Sequence, residues 1–174
     1  MEVCKALKAR VSTRSFRPDR VPEDAVREIV EAALYAPVGM HRFDTLHITV
    51  LQDKELLEKI RRAAVEHSGD EHADPLHGAP LFIIVSSSQE GDIAGANAAC
   101  LVENMLLRAT DLGLENLYIR GVLAVLSKDG ELLRELRIPA GMKPVAAAAI
   151  GYAEKKPAPR ETPFNNVTKV DYIG

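Results

Sequence analysis

The chain has 174 residues, the size of one domain, and is 47% hydrophobic and 27% charged with a net charge of -3, an ordinary globular balance. Twenty-two basic against 25 acidic residues leave none of the cationic excess that phosphate-neutralising nucleic-acid binders carry, so nucleic acid is excluded as the expected partner. The opening MEVCKALKAR lacks the apolar core of a signal peptide and no run approaches a membrane span, so neither membrane nor export is expected, and a cytoplasmic location is.

In chain order, a short helix is predicted over Val3 to Ala9, running into Arg10-Val11-Ser12-Thr13-Arg14-Ser15-Phe16-Arg17 before Pro18 stops it. Pro22, Glu23 and Asp24 open a second helix with Val26, Ile29, Val30, Ala33 and Leu34 on one face, and Pro37 ends it. After the loop Val38 to Asp44, the alternation of Leu46, Ile48 and Val50 with His47 and Thr49 predicts a strand buried on one face. Asp53 caps a third helix with Leu56, Leu57, Ile60, Ala63 and Ala64 inward, and His67 to Asp74 is expected to be a polar loop.

Leu81 to Val85 is an uninterrupted apolar run, expected to be a central strand covered on both faces. Asp92 to Leu112 predicts the longest helix, apolar nearly all round and therefore buried, with Gly113 as its stop. A strand over Asn116 to Val122, a short helix over Asp129 to Leu136 and a last strand over Val145 to Ile150 follow. Ala153 to Gly174, with three prolines and few core residues, is expected to be an extended carboxyl-terminal arm that reaches toward a partner.

Arg10, Ser12 and Arg14 put two guanidinium groups and a hydroxyl near a helix end, where planar forks suit phosphate oxygens; the other reading is a solvated basic surface, and the local residues leave both open. His67, His72 and His77 raise the question of a metal, but five-residue spacings do not align ligands on a helix, so no metal is expected. Cys4 and Cys100 belong to no paired motif and have no evident base beside them, so both are expected to be free thiols, Cys100 within the core.

Five ordered features make the chain resemble the nitroreductase family of FMN-dependent oxidoreductases over nearly its whole length: the R-x-S-x-R run Arg10 to Arg14; Ala32-Ala33-Leu34-Tyr35-Ala36-Pro37; Gly78-Ala79-Pro80 entering Leu81 to Val85; Glu103-Asn104-Met105, Leu112-Gly113-Leu114 and Tyr118-Ile119-Arg120-Gly121; and Ile138-Pro139-Ala140-Gly141, Ile150-Gly151-Tyr152 and Pro159-Arg160. The resemblance implies an α+β fold, an α/β/α sandwich whose central sheet is mixed and mostly antiparallel. It also implies a homodimer with FMN at the subunit interface.

By the same resemblance, Arg10, Val11, Ser12, Arg14 and Arg160 hold the phosphate and ribityl chain, and Ala36, Pro37, Val38 and Gly39 meet the flavin. Tyr118, Ile119, Arg120 and Gly121 approach the ring, with backbone near Arg120 and Gly121 facing N5 and Arg14 or Arg120 facing the pyrimidine edge. The implied reaction is ping-pong, hydride passing from NADH or NADPH to the flavin and then to a nitroaromatic or quinone-like acceptor. One loop departs from the family pattern. Where Ser, a small residue, Asn, Gln, Pro and Trp are usual, the chain has Val38-Gly39-Met40-His41-Arg42-Phe43-Asp44, so backbone contacts are expected in place of side-chain ones. His41 and Arg42 are secondary candidates that either touch the flavin edge or substrate or stand in solvent. A flavin-binding or redox-sensing protein without turnover and a cofactor-free interaction protein are the rival classes.

Overall fold

A computed structural model describes residues 2–158 and 168–174. Helix α1 spans Val3–Ala9, α2 Glu23–Ala33, α3 Lys54–Ser68, α4 Asp92–Asp111, α5 Leu123–Leu126 and α6 Gly130–Glu135; strand β1 spans Leu46–Leu51, β2 Leu81–Ser87, β3 Glu115–Ile119 and β4 Lys143–Gly151. The four strands form one sheet in the order β1-β2-β4-β3, every ladder antiparallel. The mixed character expected of the sheet is reduced, among the described residues, to one isolated parallel bridge between Ser12 and Asn116.

The apolar run of β2 is buried throughout, because alternate side chains face two different cores. Leu81, Ile83 and Val85 pack with Ile29 and Ala33 of α2 and with Leu101, Val102, Met105 and Leu106 of α4. Phe82 and Ile84 pack on the other face with Ile60 of α3, Leu126 of α5 and Leu132 of α6. Burying each of these large side chains contributes about 1.5–3 kcal/mol. On β4, Ala146 to Ala149 are all fully buried, and a strand of small side chains lets helices approach both faces closely.

Asp53 accepts the Leu56 N–H at 2.9 Å as the expected cap of α3. That helix continues to Ser68, so His67 lies in its last turn and the polar loop begins only at Gly69, whose φ of 70° ends the helix in the left-handed cap that glycine favours. Strand β3 stops at Ile119, short of the expected Val122, because Val122 already has helical φ/ψ as the cap of α5, a helix the sequence pattern did not predict. Helix α4 is not buried all round: Ile93, Ala96 and Glu103 are exposed, while Asn97, Leu101, Met105 and Ala109 face the core. Cys4 and Cys100 are free thiols, Cys100 only partly buried. The expected arm does not separate at residue 153, since Ala153 bridges Phe16 and the Glu154 N–H donates to the Ser15 carbonyl. No described helix is long and apolar enough to cross a membrane.

Candidate functional site

Arg10 ends α1 by turning extended (φ -64°, ψ 113°), its N–H still donating to the Ala6 carbonyl. The chain beyond it is attached to the sheet at two points. At its start, Ser12 bridges Asn116 and the Thr13 N–H donates to the Asn116 carbonyl at 2.9 Å. At its end, buried Phe16 bridges Ala153 and donates its N–H to the His77 carbonyl, while Arg17 donates to Tyr152. Between these points a cavity of about 210 Å³ is lined by Ser12, Thr13, Arg14, Ser15, Glu154, Lys155 and Pro157.

The cavity wall carries two cations, Arg14 and Lys155, and one carboxylate, Glu154, which accepts the Ser15 hydroxyl at 2.5 Å. Arg10 lies with its guanidinium 3.9 Å from Glu103 of α4 and its side chain 16% exposed. The buried Thr13 hydroxyl has no hydrogen-bond partner among the described residues, and neither has the Asn116 side-chain oxygen. A buried orphan of this kind costs about 1–3 kcal/mol, and both atoms are closed off from solvent; what suits a phosphate-bearing ligand in the cavity is the pair of cations on its wall, Arg14 and Lys155.

Strand β3 carries the second predicted group. It is the sheet edge beside Ser12, and from Asn116 to Ile119 it advances about 10 Å. Ile119 is buried and Tyr118 half-buried; burial pushes the Tyr118 phenol above its ordinary range against the opposing charge of Arg120, so it stays a neutral donor. Arg120 and Gly121 are exposed in the turn that begins α5, where the Leu123 N–H returns to the Arg120 carbonyl.

The third group is the loop after α2. Ala36 and Val38 are buried, Pro37 is exposed, and the Gly39 N–H donates to the Asn97 side-chain oxygen of α4 at 3.0 Å. Met40 and His41 both have left-handed backbones, φ 52° and 54°, a conformation that costs a non-glycine residue about 1–2 kcal/mol. The strain projects them outward, Met40 being 83% exposed. Arg42, the secondary candidate, is turned onto Asp44 through bonds of 3.0–3.3 Å; that hydrogen-bonded pairing raises the guanidinium and lowers the carboxyl from their ordinary ranges.

Helix α4 connects the three groups. Asn97 holds Gly39, Asn104 donates to the Ala32 carbonyl at 3.1 Å, Glu103 faces Arg10, and the Leu106 carbonyl and Thr110 hydroxyl accept the Asn116 amide at 3.0 and 2.9 Å. The predicted residues nevertheless line no common cavity within one chain: the Ser12 to Ser15 cavity is bounded by neither Arg10 nor Val11 and by none of residues 36–41 or 118–121. Arg160 lies outside the described residues. The anchors Asn97 and Asn116 were not singled out from the sequence, and Asn104 entered only within the Glu103-Asn104-Met105 resemblance, although asparagines among apolar helix and strand positions were a usable signal. A larger cavity of about 850 Å³ lies elsewhere, between the ends of β1 and β2 and the start of α3, and contains none of the predicted site residues. Among the described residues no three His, Cys, Asp or Glu side chains converge as metal ligands.

A fold of two helical layers on an antiparallel sheet, with an arginine-bearing segment against the edge strand, defines the class to which the comparisons assign the chain. The nitroreductase family model matches residues 7–152, and the chain belongs to that family. A nitroreductase of Bacteroides fragilis NCTC 9343, solved with bound FMN, is 30% identical with a TM-score of 0.82, the alignment covering 98% of this chain and 100% of that one. A nitroreductase of Desulfitobacterium hafniense DCB-2, also solved with bound FMN, is 23% identical with a TM-score of 0.88 over 100% and 99% of the two chains, a likeness of fold. A protein of Methanothermobacter thermautotrophicus with the provisional name NADH dehydrogenase/NAD(P)H nitroreductase is 29% identical over 92% of this chain and 82% of its own length.

Proposed function

We propose that the chain is an FMN-dependent NAD(P)H oxidoreductase acting on an electron-poor acceptor of the nitroaromatic or quinone type. Family membership over residues 7–152 supports the class, and the single structural observation that supports the cofactor assignment is the cavity between Ser12 and Ser15 whose wall carries Arg14 and Lys155. Bound FMN supplies the hydride relay between a nicotinamide donor and the acceptor. The residues of this chain supply binding, orientation and charge.

Arg14 on the cavity wall and Arg10, which faces Glu103 at the end of α1, grip phosphate oxygens, Ser12 donates its hydroxyl beside them, and Arg160 closes on the same group. Strand β3 then leads from Asn116 toward Ile119, Arg120 and Gly121, so that exposed backbone N–H groups in the turn before α5 face the ring. Neutral Tyr118 stands beside them as a hydrogen-bond donor.

The site is completed by a second copy. Ala36, Pro37, Val38, Gly39 and His41 do not line the phosphate cavity of their own chain, and apolar side chains are exposed around them and on the adjoining helices: Leu34, Tyr35 and Met40, with Val3 and Leu7 of α1 and Ile93 of α4. Such a surface is stable when a partner covers it. In the proposed homodimer the loop of one subunit meets the flavin whose phosphate the other subunit holds.

The test is the visible spectrum of the purified protein, identification of the extracted flavin, and its bleaching by NADH or NADPH with recovery on adding a quinone. Arg10→Ala and Arg14→Ala should each weaken FMN binding by about 10- to 100-fold, the loss of one charged hydrogen bond. A colourless protein that does not bind added FMN refutes the proposal. Flavin that binds but never bleaches leaves a flavin-binding protein without turnover.

A further inference from the structure

The three buried or half-buried polar side chains Asn97, Gln89 and Thr45 form a continuous relay beneath the strained loop. Asn97, 4% exposed on the core face of α4, accepts the Gly39 N–H at 3.0 Å and donates its amide to the Gln89 side-chain oxygen at 3.2 Å. Both ends of the Asn97 amide are therefore used, and its orientation is determined from two sides. The Thr45 hydroxyl lies 3.2 Å from the same Gln89 oxygen and donates to the Arg42 carbonyl at 2.6 Å. The Thr45 N–H donates to that carbonyl too, and the Thr45 carbonyl receives the Ser88 N–H. One network thus grips the loop at Gly39, before the left-handed residues Met40 and His41, and at Arg42, after them.

The approach is close as well as polar. A Cβ at Gly39 would meet the Ile93 side chain at 3.3 Å and the Asn97 oxygen at 3.6 Å, so the loop backbone lies flush on α4. Neither Met40 nor His41 has a packing contact deep enough to impose its conformation, both being exposed. The constraint comes from the two ends.

We infer that Asn97 is a positioning residue for the active site: through Gly39 it holds the Val38 to His41 backbone in the one arrangement that can meet flavin and substrate. The inference rests on the function proposed above. It also accounts for the departure of this loop from its family, since a loop without the usual serine and asparagine side chains depends on a backbone held from below.

The experiment uses the full chain and the variants Asn97→Leu, Asn97→Asp and Gln89→Leu. Amide hydrogen exchange at Gly39, followed by NMR on flavin-free protein, should quicken about tenfold in Asn97→Leu, the opening expected when one hydrogen bond is lost. In Asn97→Asp it should stay within about twofold of the parent, because a carboxylate still accepts the Gly39 N–H and the Gln89 amide can turn to donate to it. Gln89→Leu, at a less buried position, should give an intermediate rate and guards against failure of Asn97→Leu to fold. FMN titration of the same proteins should follow the same order, weakest in Asn97→Leu and restored in Asn97→Asp. Unchanged exchange at Gly39 in Asn97→Leu or Gln89→Leu overturns the latch, and quickened exchange with unchanged FMN affinity overturns its role in the site. If the parent chain binds no FMN, the proposed function fails whatever the exchange rates show, and the positioning role falls with it.

Discussion

Thr13→Val tests whether the buried hydroxyl beside the cavity is an unmet cost of the fold. Valine keeps the shape of threonine and removes the hydroxyl, which is buried and unpartnered among the described residues. An unsatisfied buried hydroxyl costs about 1–3 kcal/mol, and replacing it with a methyl group should recover part of that, about 0.5–1.5 kcal/mol, in flavin-free protein. For a chain of this length such a gain raises Tm by about 1–6 °C. The hydroxyl is closed off from the cavity, so the FMN dissociation constant should stay within about twofold of the parent's. Thermal melting of flavin-free protein and fluorescence titration with FMN measure the two effects. A variant that melts lower than the parent, or that binds FMN about tenfold more weakly, would show that the hydroxyl has a partner and would refute the reasoning.

Two further outcomes test the packing and electrostatics around the site. Gly151→Ala places a Cβ 2.6 Å from the Pro80 ring and 3.3 Å from the Phe16 ring, so overpacking should cost about 1–3 kcal/mol by denaturant unfolding and should loosen the segment that Phe16 anchors; a change below about 0.5 kcal/mol would show that Pro80 yields freely. Burial at the start of β3 raises the Glu115 carboxyl above its ordinary range, with Lys156 opposing. Stability linked to this group is present below about pH 4.3 and is lost as pH rises through the folded value, so Glu115→Gln should raise Tm at pH 7.5 and have little effect at pH 4. Equal effects at both pH values would contradict that sign.

Much of the scaffold was legible in local pattern. The unbroken apolar run of β2 pointed to a strand covered on two faces, the alternation of β1 and the stripe of α3 gave element type, and Asp53 marked the start of a helix. Local pattern failed where partners are distant. Val122 belongs to α5 because Leu123 and Leu126 pack under the sheet, a contact that no periodicity within five residues records. Helix α4 read as apolar all round because its small residues and its exposed Ile93 look alike in composition, whereas burial distinguishes them.

For the site, the arginine segment was readable because charge and hydroxyls are chemically conspicuous at short spacing. The asparagines were visible only as polar residues at apolar positions; their roles were not readable, since an amide is identified by what it binds, and the partners lie 58 residues away for Asn97 and 72 for Asn104.

The sequence by itself determined which residues are apolar in which period, and so most of the helices and strands, while its ordered motifs carried the resemblance to the family that the match over residues 7–152 shows. Tertiary structure alone decided that β3 is the edge strand, that Ser12 pairs with it, and that Gly39 lies on Asn97. The physical reason is that periodicity reports that a face will be buried and is silent on what will cover it, while pairing and buried polar bonds depend on residues that only the folded chain brings together.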